Sequence, residues 1–379
     1  MAGMFDVIVI GVGGMGSAGL YHLARRGVKA LGIEQFDIPH DRGSSHGVNR
    51  IIRLAYLEHP SYVPLLRRAY ELWRELERTA GERLLFTTGS LDVGAPGSQT
   101  LDGSLLSCRL HDLRHELLSA ADVRGRFPGY GIPDGLQAVL QPDGGFVLAE
   151  RGVEHHVKAA RALGATVHTR ERVLDLDLNG SQATVRTDRG TYRAPRVVVT
   201  AGPWAGTLVP SLAPLAKPER QVLLWTGILR PGLFEPAAFP VFNLEVPEGR
   251  FYGFPEFGVP GFKLGKYHHR GEEADPDRVN RAIDARDEEI LREALLKYFP
   301  AANGPRLNAT TCLFTNSPDE HFILDLYRDD PRVALAAGFS GHGFKFCSVV
   351  GEIVADLAID GGTAHDIGLF RLSRFGKRT

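Results

Sequence analysis

The stretch Asp6-Val7-Ile8-Val9-Ile10, followed at once by Gly11-Val12-Gly13-Gly14-Met15-Gly16, constrains this chain more than any other. A short, unbroken run rich in β-branched residues reads as a strand buried on both faces, as in a parallel sheet. Residues 17–26 then carry Ala18, Leu20, Leu23 and Ala24 at helical spacing, and Gly27 closes the helix. Ala30-Leu31-Gly32-Ile33-Glu34 is a second strand, so the unit is a right-handed βαβ. Within the turn, Gly11 permits a tight bend, Gly13 lets a pyrophosphate approach the backbone, and Gly16 lets helix and strand pack closely. Together with Gly14 and Met15 they open a helix whose N-terminus faces the phosphates. Glu34, at the end of the second strand, is placed to accept hydrogen bonds from a pair of ribose hydroxyls. This order of elements implies a bound dinucleotide and leaves FAD and NAD both open.

Composition narrows the class. The 379 residues carry 44 Lys plus Arg against 45 Asp plus Glu, a formal charge of −1, which argues against a nucleic-acid footprint or a polybasic membrane patch. No apolar run reaches the ~20 residues of a spanning helix, and the short apolar stretch after Met1 lacks the basic flank and cleavage signal of a leader. Three cysteines, Cys108, Cys312 and Cys347, are too few for a disulfide framework. The expectation is a soluble, cytoplasmic protein with neither a nucleic-acid nor a membrane partner.

Tyr62–Ala80 presents one apolar stripe (Leu65, Leu66, Ala69, Leu72, Trp73, Leu76) and meets Gly81, which predicts a helix. Residues 165–187 and 197–201 read as short strands returning to the first sheet. Residues 222–229, Val241–Val246 and Gly249–Phe254 read as longer strands broken by Pro and Gly, and 277–298 as a helix halted by Pro300. Residues 333–336 read as a strand and 346–359 as a helix. The expected fold is mixed α/β (α+β): a Rossmann-like nucleotide-binding domain interleaved with an antiparallel-sheet domain. The first is placed at 1–82, 150–215 and 306–379, the second at 83–149 and 216–305.

Two further clusters carry chemistry. Arg42-Gly43-Ser44-Ser45-His46-Gly47-Val48-Asn49-Arg50-Ile51-Ile52-Arg53 mixes small residues, whose amides can approach a phosphate or a flat ring, with cations that offer a fork to a carboxylate. Gly338-Phe339-Ser340-Gly341-His342-Gly343-Phe344-Lys345 precedes a helix and forms a backbone nest at its positive end, suited to developing negative charge. On composition alone each would serve equally as a solvated loop or a glycine-rich turn.

Residues 43–53, 310–325 (Thr-Thr-Cys-Leu-Phe-Thr-Asn-Ser-Pro-Asp-Glu-His-Phe-Ile-Leu-Asp) and 338–346 together resemble the monomeric sarcosine oxidase and N-methyl-L-tryptophan oxidase family, in order and spacing, from about residue 6 to 357. The resemblance implies FAD, tethered by a thioether from its 8α-methyl group to Cys312, with Cys108 and Cys347 left as packing residues. It implies that Arg53 and Lys345 hold a substrate carboxylate, as a buried anion needs its charge paired. It places Lys263 near the flavin N5, where a cation stabilises superoxide as it forms. His46 and Arg50 would line the flavin and tune it, and Tyr252 would wall the substrate pocket. Ser44, Ser45, Val173, Gly202, Trp204, Gly341, Gly343 and Phe344 join the cofactor site on the same ground.

Four positions depart from the family pattern. Phe314 stands where its sarcosine enzymes have a tyrosine, Asn243 where a methionine faces the substrate, and Asn49 where a threonine adjoins the flavin arginine. Tyr267 takes the place of a histidine, with His268 and His269 following. A pocket of Asn243, Phe314, Tyr267 and His268 implies a substrate other than sarcosine itself. The reaction implied is oxidation of a secondary amino acid by oxygen, giving an imine that hydrolyses to aldehyde or keto acid plus amine, and hydrogen peroxide. The expected partners are the small-molecule substrate and oxygen, acting on a monomer. Oxidation of cyclic (pipecolate- or proline-like) or primary amino acids, a flavin dehydrogenase with another acceptor, and a noncatalytic flavin-binding subunit stay open. His155-His156 and His268-His269 lack metal-ligand spacing, so no metal is expected, and no GxSxG nucleophile elbow is present.

Overall fold

Val7–Ile10 is fully buried at the centre of a six-stranded sheet, flanked in parallel by Arg196–Val199 on one side and Ala30–Ile33 on the other. These relations come from a computed structural model that describes residues 5–376; residues 1–4, with the apolar start, and 377–379, at the ends of the expected domain division, lie outside the described residues. Val333–Ala337 extends the sheet in parallel beyond Arg196–Val199, Thr166–His168 does so beyond Ala30–Ile33, and Ile323–Leu326 closes one edge antiparallel. The first helix, Gly14–Arg25, begins earlier than residue 17, where the apolar spacing first signals it, because its opening turn is made of glycines that carry no hydrophobic signal. It packs on Cys347–Asp360 so closely that a Cβ at Gly351 would stand 2.5 Å from Ala18. Tyr62–Ala80 forms as expected, closed by Gly81 at φ 69°.

The second large sheet has eight strands, in the order Arg306–Asn316, Lys217–Thr226, Phe262–Lys266, Gly249–Phe254, Val241–Val246, Ser90–Gly94, Gln137–Gln141 and Glu116–Ser119. Only Val241–Val246 and Ser90–Gly94 pair in parallel among these. Side chains alternate faces along each strand. Phe242, Phe251 and Phe262 therefore join Phe239 and Phe299 in one core, while Tyr252, Phe254, Cys312 and Phe314 look out from the other face. A small sheet of Asn49–Ile52, Gly145–Leu148 and Leu85–Thr87 stands between the two large ones in sequence.

Four expectations need correction. Of residues 165–187, only Thr166–His168 returns to the first sheet; Val173–Asp177, Ala183–Thr187 and Thr191–Ala194 make an antiparallel sheet of their own. The 222–229 strand runs instead from Lys217 to Thr226, where Gly227 turns the chain. Arg306–Asn316 hydrogen-bonds along Lys217–Thr226, so residues 306–316 belong to the eight-stranded sheet rather than to the nucleotide-binding side. The helix placed at 277–298 begins only at Ala285, where Asp284 and Asp287 form a reciprocal capping box. Ahead of it the chain turns at 276–278 and is then tied by Arg220, whose guanidinium donates to Asn280 O and Ala282 O, each at 2.8 Å. No helix among the described residues is long and apolar enough to cross a membrane.

Asp287 is fully buried and accepts from Arg220 Nη1 and Nη2 at 2.8 and 2.7 Å. Removing one partner of such a pair strands the other charge. Asp287→Ala is expected to destabilise the fold by ~3–5 kcal/mol, read as a lowered thermal midpoint; an unchanged midpoint would show the pair to be dispensable.

Candidate active site

One elongated cleft runs from the ends of Val7–Ile10 and Ala30–Ile33 to the face of the eight-stranded sheet that carries Tyr252, Phe254, Cys312 and Phe314. At its first end Gly11, at φ 87°, turns the chain so tightly that a Cβ would stand 2.7 Å from Thr200 O, and a Cβ at Gly16 would stand 1.9 Å from Gly11 O. Gly13 and Gly14 line the opening turn of the helix, whose N-cap residue, Gly13, makes no side-chain cap. Buried Glu34 accepts from Val12 N at 2.9 Å and Phe36 N at 3.1 Å, one bond to each oxygen, which leaves acceptor capacity toward the cleft. Burial raises its carboxyl pKa against those bonds. Met15, Val173, Gly202 and Trp204 line the same end, with open space where a Gly202 side chain would begin.

The middle of the cleft is built by residues 43–53. Ser45 Oγ accepts from Gly14 N at 3.1 Å and Ser44 Oγ donates to Leu313 O at 2.5 Å, which ties this loop to the helix start and to the roof strand. Arg50 donates to Ser44 O at 3.0 Å and to Cys312 Sγ at 3.6 Å. The Cys312 thiol is free, 2% exposed, and open to the cleft. His46 does not line the wall but is buried behind it; burial and then Arg50 push its pKa down to about 3, and Nε2 has no protein partner.

The far end carries Gly341, Gly343, Phe344 and Lys345 below, and Tyr252, Tyr267 and Phe314 above. Gly341, at φ 77°, lies against Phe314, where a Cβ would stand 2.3 Å from the ring. Lys345 Nζ donates to His342 O at 2.6 Å, and burial followed by Arg53 lowers its pKa to about 7. Arg53 is buried, lines the cleft, and faces Glu58 Oε2 at 3.2 Å and Asp92 Oδ2 at 3.3 Å. Burial would raise Glu58, but Arg53, His342, Arg250 and Lys345 hold it at about 2.

Besides His46, three expected residues stand elsewhere than on the wall. Lys263 lies behind it, donating to Gly47 O, Asn49 O and Asn49 Oδ1 at 2.6–2.9 Å, between Phe254 and Trp225. Burial drives its pKa well below that of an ordinary lysine. Asn243 does not face the cleft: it is buried and donates to Asp92 Oδ1 at 2.7 Å. His268 is not a pocket residue either. At φ 52° it turns to the surface between Glu219 and Glu320, whose hydrogen bonds raise its pKa to about 9. The sequence reading missed Glu58 and Asp92, and gave His342 no role of its own within the nest at 338–345. Asp92 left a trace as a lone acid in the apolar strand Ser90-Leu91-Asp92-Val93.

The family model for FAD dependent oxidoreductases matches residues 6–357. The chain belongs to that family. It is 42% identical to monomeric sarcosine oxidase from Bacillus sp. (strain NS-129), over 99% of this chain and 98% of the other. It is 36% identical to N-methyl-L-tryptophan oxidase from Yersinia pestis (strain Pestoides F), over 98% and 99%. Among solved structures, the open form of NikD, an unusual amino acid oxidase, superposes with a TM-score of 0.85 at 28% identity, covering 97% of each chain. The chain is thus an FAD-dependent amine oxidase of the monomeric sarcosine oxidase and N-methyl-L-tryptophan oxidase family, and its mixed α/β fold is the one expected. The residues present fit the cofactor: a glycine cradle without room for a Cβ at Gly11 and Gly16, a helix start whose N-cap is glycine, and Glu34 beside it.

Gly16→Ala places a methyl group inside the Gly11 carbonyl. The variant is expected to purify with little or no FAD, read from its visible absorbance per mole of protein; full flavin content would contradict this geometry.

Proposed function

We propose that the enzyme oxidises secondary amino acids, N-methyl amino acids first among them, whose carboxylate is held by Arg53 and Lys345 at the far end of the cleft. The observation that carries this reading is the pairing of two buried cations on one wall with the aromatic face of Tyr252, Tyr267 and Phe314 on the other. Bound FAD supplies the two-electron acceptor. Arg53 and Lys345 orient the carboxylate, and the aromatic face excludes water around the amine. The product imine hydrolyses to an aldehyde or keto acid plus amine, and oxygen leaves as hydrogen peroxide. Lys263 supplies positive charge behind the cleft where oxygen is reduced, and Arg50 and His46 set the polarity beside the cofactor. Cys312, with Arg50 against its sulfur, is the attachment residue. The sarcosine and N-methyl-L-tryptophan oxidases that this chain resembles support the substrate class. The position of Phe314 over Gly341 favours a substrate other than sarcosine. The enzyme acts as a cytoplasmic monomer with no nucleic-acid partner, and among the described residues its cofactor domain spans 5–82, 150–215 and 317–376, the rest forming the substrate domain.

Peroxide release from a panel of sarcosine, N-methyl-tryptophan, other N-methyl amino acids, pipecolate, proline and primary amino acids tests the reading. A secondary amino acid should give the strongest signal; a panel silent for peroxide while a dye is reduced would make the enzyme a dehydrogenase. Lys263→Met should slow reoxidation by oxygen by ~10²-fold or more while leaving reduction by substrate largely intact, measured as separate half-reactions. Equal oxygen reactivity would remove Lys263 from that role. After acid precipitation the yellow colour should stay in the pellet, and move to the supernatant in Cys312→Ser; colour in the supernatant of both would show that Cys312 is not the tether.

A further inference from the structure

A guanidinium has five N–H groups. In Arg53, Nε donates to Ala55 O at 3.0 Å and Nη2 to Glu58 Oε2 at 3.2 Å. Both hydrogens of Nη1 and the second of Nη2 have no protein acceptor among the described residues, and the side chain lines the cleft. Against the Nε edge stands Asp92, which is 1% exposed and does not reach the cleft. Its Oδ2 accepts from Ser104 Oγ at 2.7 Å and its Oδ1 from Asn243 Nδ2 at 2.7 Å. The fold builds this clamp from three elements. Asn243 is the register partner of Asp92 across the parallel pair Val241–Val246 and Ser90–Gly94. Ser104 lies on the helix Gln99–Leu110, which docks against the 53–58 segment through Gly103, where a Cβ would stand 2.2 Å from Leu57 O. Ser107 Oγ on the same helix donates to Tyr56 O at 2.6 Å.

We propose that Asp92 is a positioning residue of the carboxylate site: its carboxylate stands as a counter-charge against the Nε side of Arg53, whose Nε hydrogen is held by Ala55 O, so that the Nη1 hydrogens and the second of Nη2 stay with the ligand, and with Glu58 it supplies the negative charge that balances Arg53 and Lys345. This rests on the reading of Arg53 and Lys345 given above. The groups facing Lys345 are Arg53 and Arg50, the carboxylates of Glu58 and Asp92, the Tyr56 ring, and His342, whose carbonyl it binds. Burial and Arg53 lower the lysine pKa to about 7, and Glu58 and Asp92 oppose that fall. A bound carboxylate stabilises protonated Lys345, so affinity for an anion is highest below about pH 7 and declines as pH rises past it. Without the charge of Asp92, Lys345 loses one of two supporting anions and the decline moves to lower pH. Loss of Asp92 also relieves repulsion on the incoming anion, so the midpoint of the decline is the readout, not affinity at a single pH.

The test is a titration of the holoenzyme with acetate, followed by flavin absorbance, between about pH 6 and 9. In Asp92→Asn the midpoint should fall by roughly half a unit or more. Burial raises the Asp92 pKa, while Arg53 and the hydrogen bonds from Ser104 and Asn243 oppose that rise; Ser104→Ala, which removes one of those opposing bonds, should shift the midpoint the same way by less and guards against a folding defect in the first variant. Unchanged midpoints in both variants would overturn the proposal. Lys345→Met should abolish the pH-dependent step; if the step persists there, or if wild-type enzyme does not respond to acetate, the carboxylate site itself is misassigned and the proposal falls with it.

Discussion

Burying a guanidinium and an ammonium in one wall of a cleft is costly unless anions and hydrogen bonds accompany them, and the substrate end of this enzyme is organised around that requirement. Arg53 is 1% exposed and stands between Glu58 and Asp92. Holding those two carboxylates in place draws in a loop, two inner strands of the eight-stranded sheet and the Gln99–Leu110 helix. Lys345 completes the cluster from the glycine-rich loop that follows Val333–Ala337. The cleft thereby keeps positive charge for a ligand without leaving it unbalanced when no ligand is bound.

The cofactor end works by a different economy. Backbone shape does most of it: Gly11, Gly13, Gly16 and Gly202 either pack too closely for a side chain or leave room for the dinucleotide. Glu34 accepts from Val12 N, which couples the end of the second strand to the first loop. Ser45, bonded to Gly14 N, then joins this half to the segment that reaches Arg53. A continuous path of chain thus links the phosphate cradle to the substrate clamp.

Legibility in the sequence followed the range of the interactions. The βαβ unit, the Tyr62–Ala80 helix and the Gly249–Phe254 strand are local patterns, and they form as read. The glycine motifs and Cys312 could be recognised because neighbouring residues carry the same resemblance, and they line one cleft. What failed was non-local. Asn243 seemed a substrate contact until its register partner proved to be Asp92. His268 was misplaced because its left-handed backbone turns it toward Glu219 and Glu320. The helix before Tyr298 starts late because Arg220, far away in sequence, takes up the carbonyls of Asn280 and Ala282 ahead of it.

The central claim is that substrate is held by its carboxylate against Arg53 and Lys345. The most direct measurement is anaerobic mixing of the enzyme with an N-methyl amino acid and, separately, with its neutral carboxamide, following loss of the yellow flavin absorbance. The account predicts rapid, saturable bleaching by the acid and bleaching by the amide that is slower by ~10²-fold or more at equal concentration. Equal bleaching by both would contradict it.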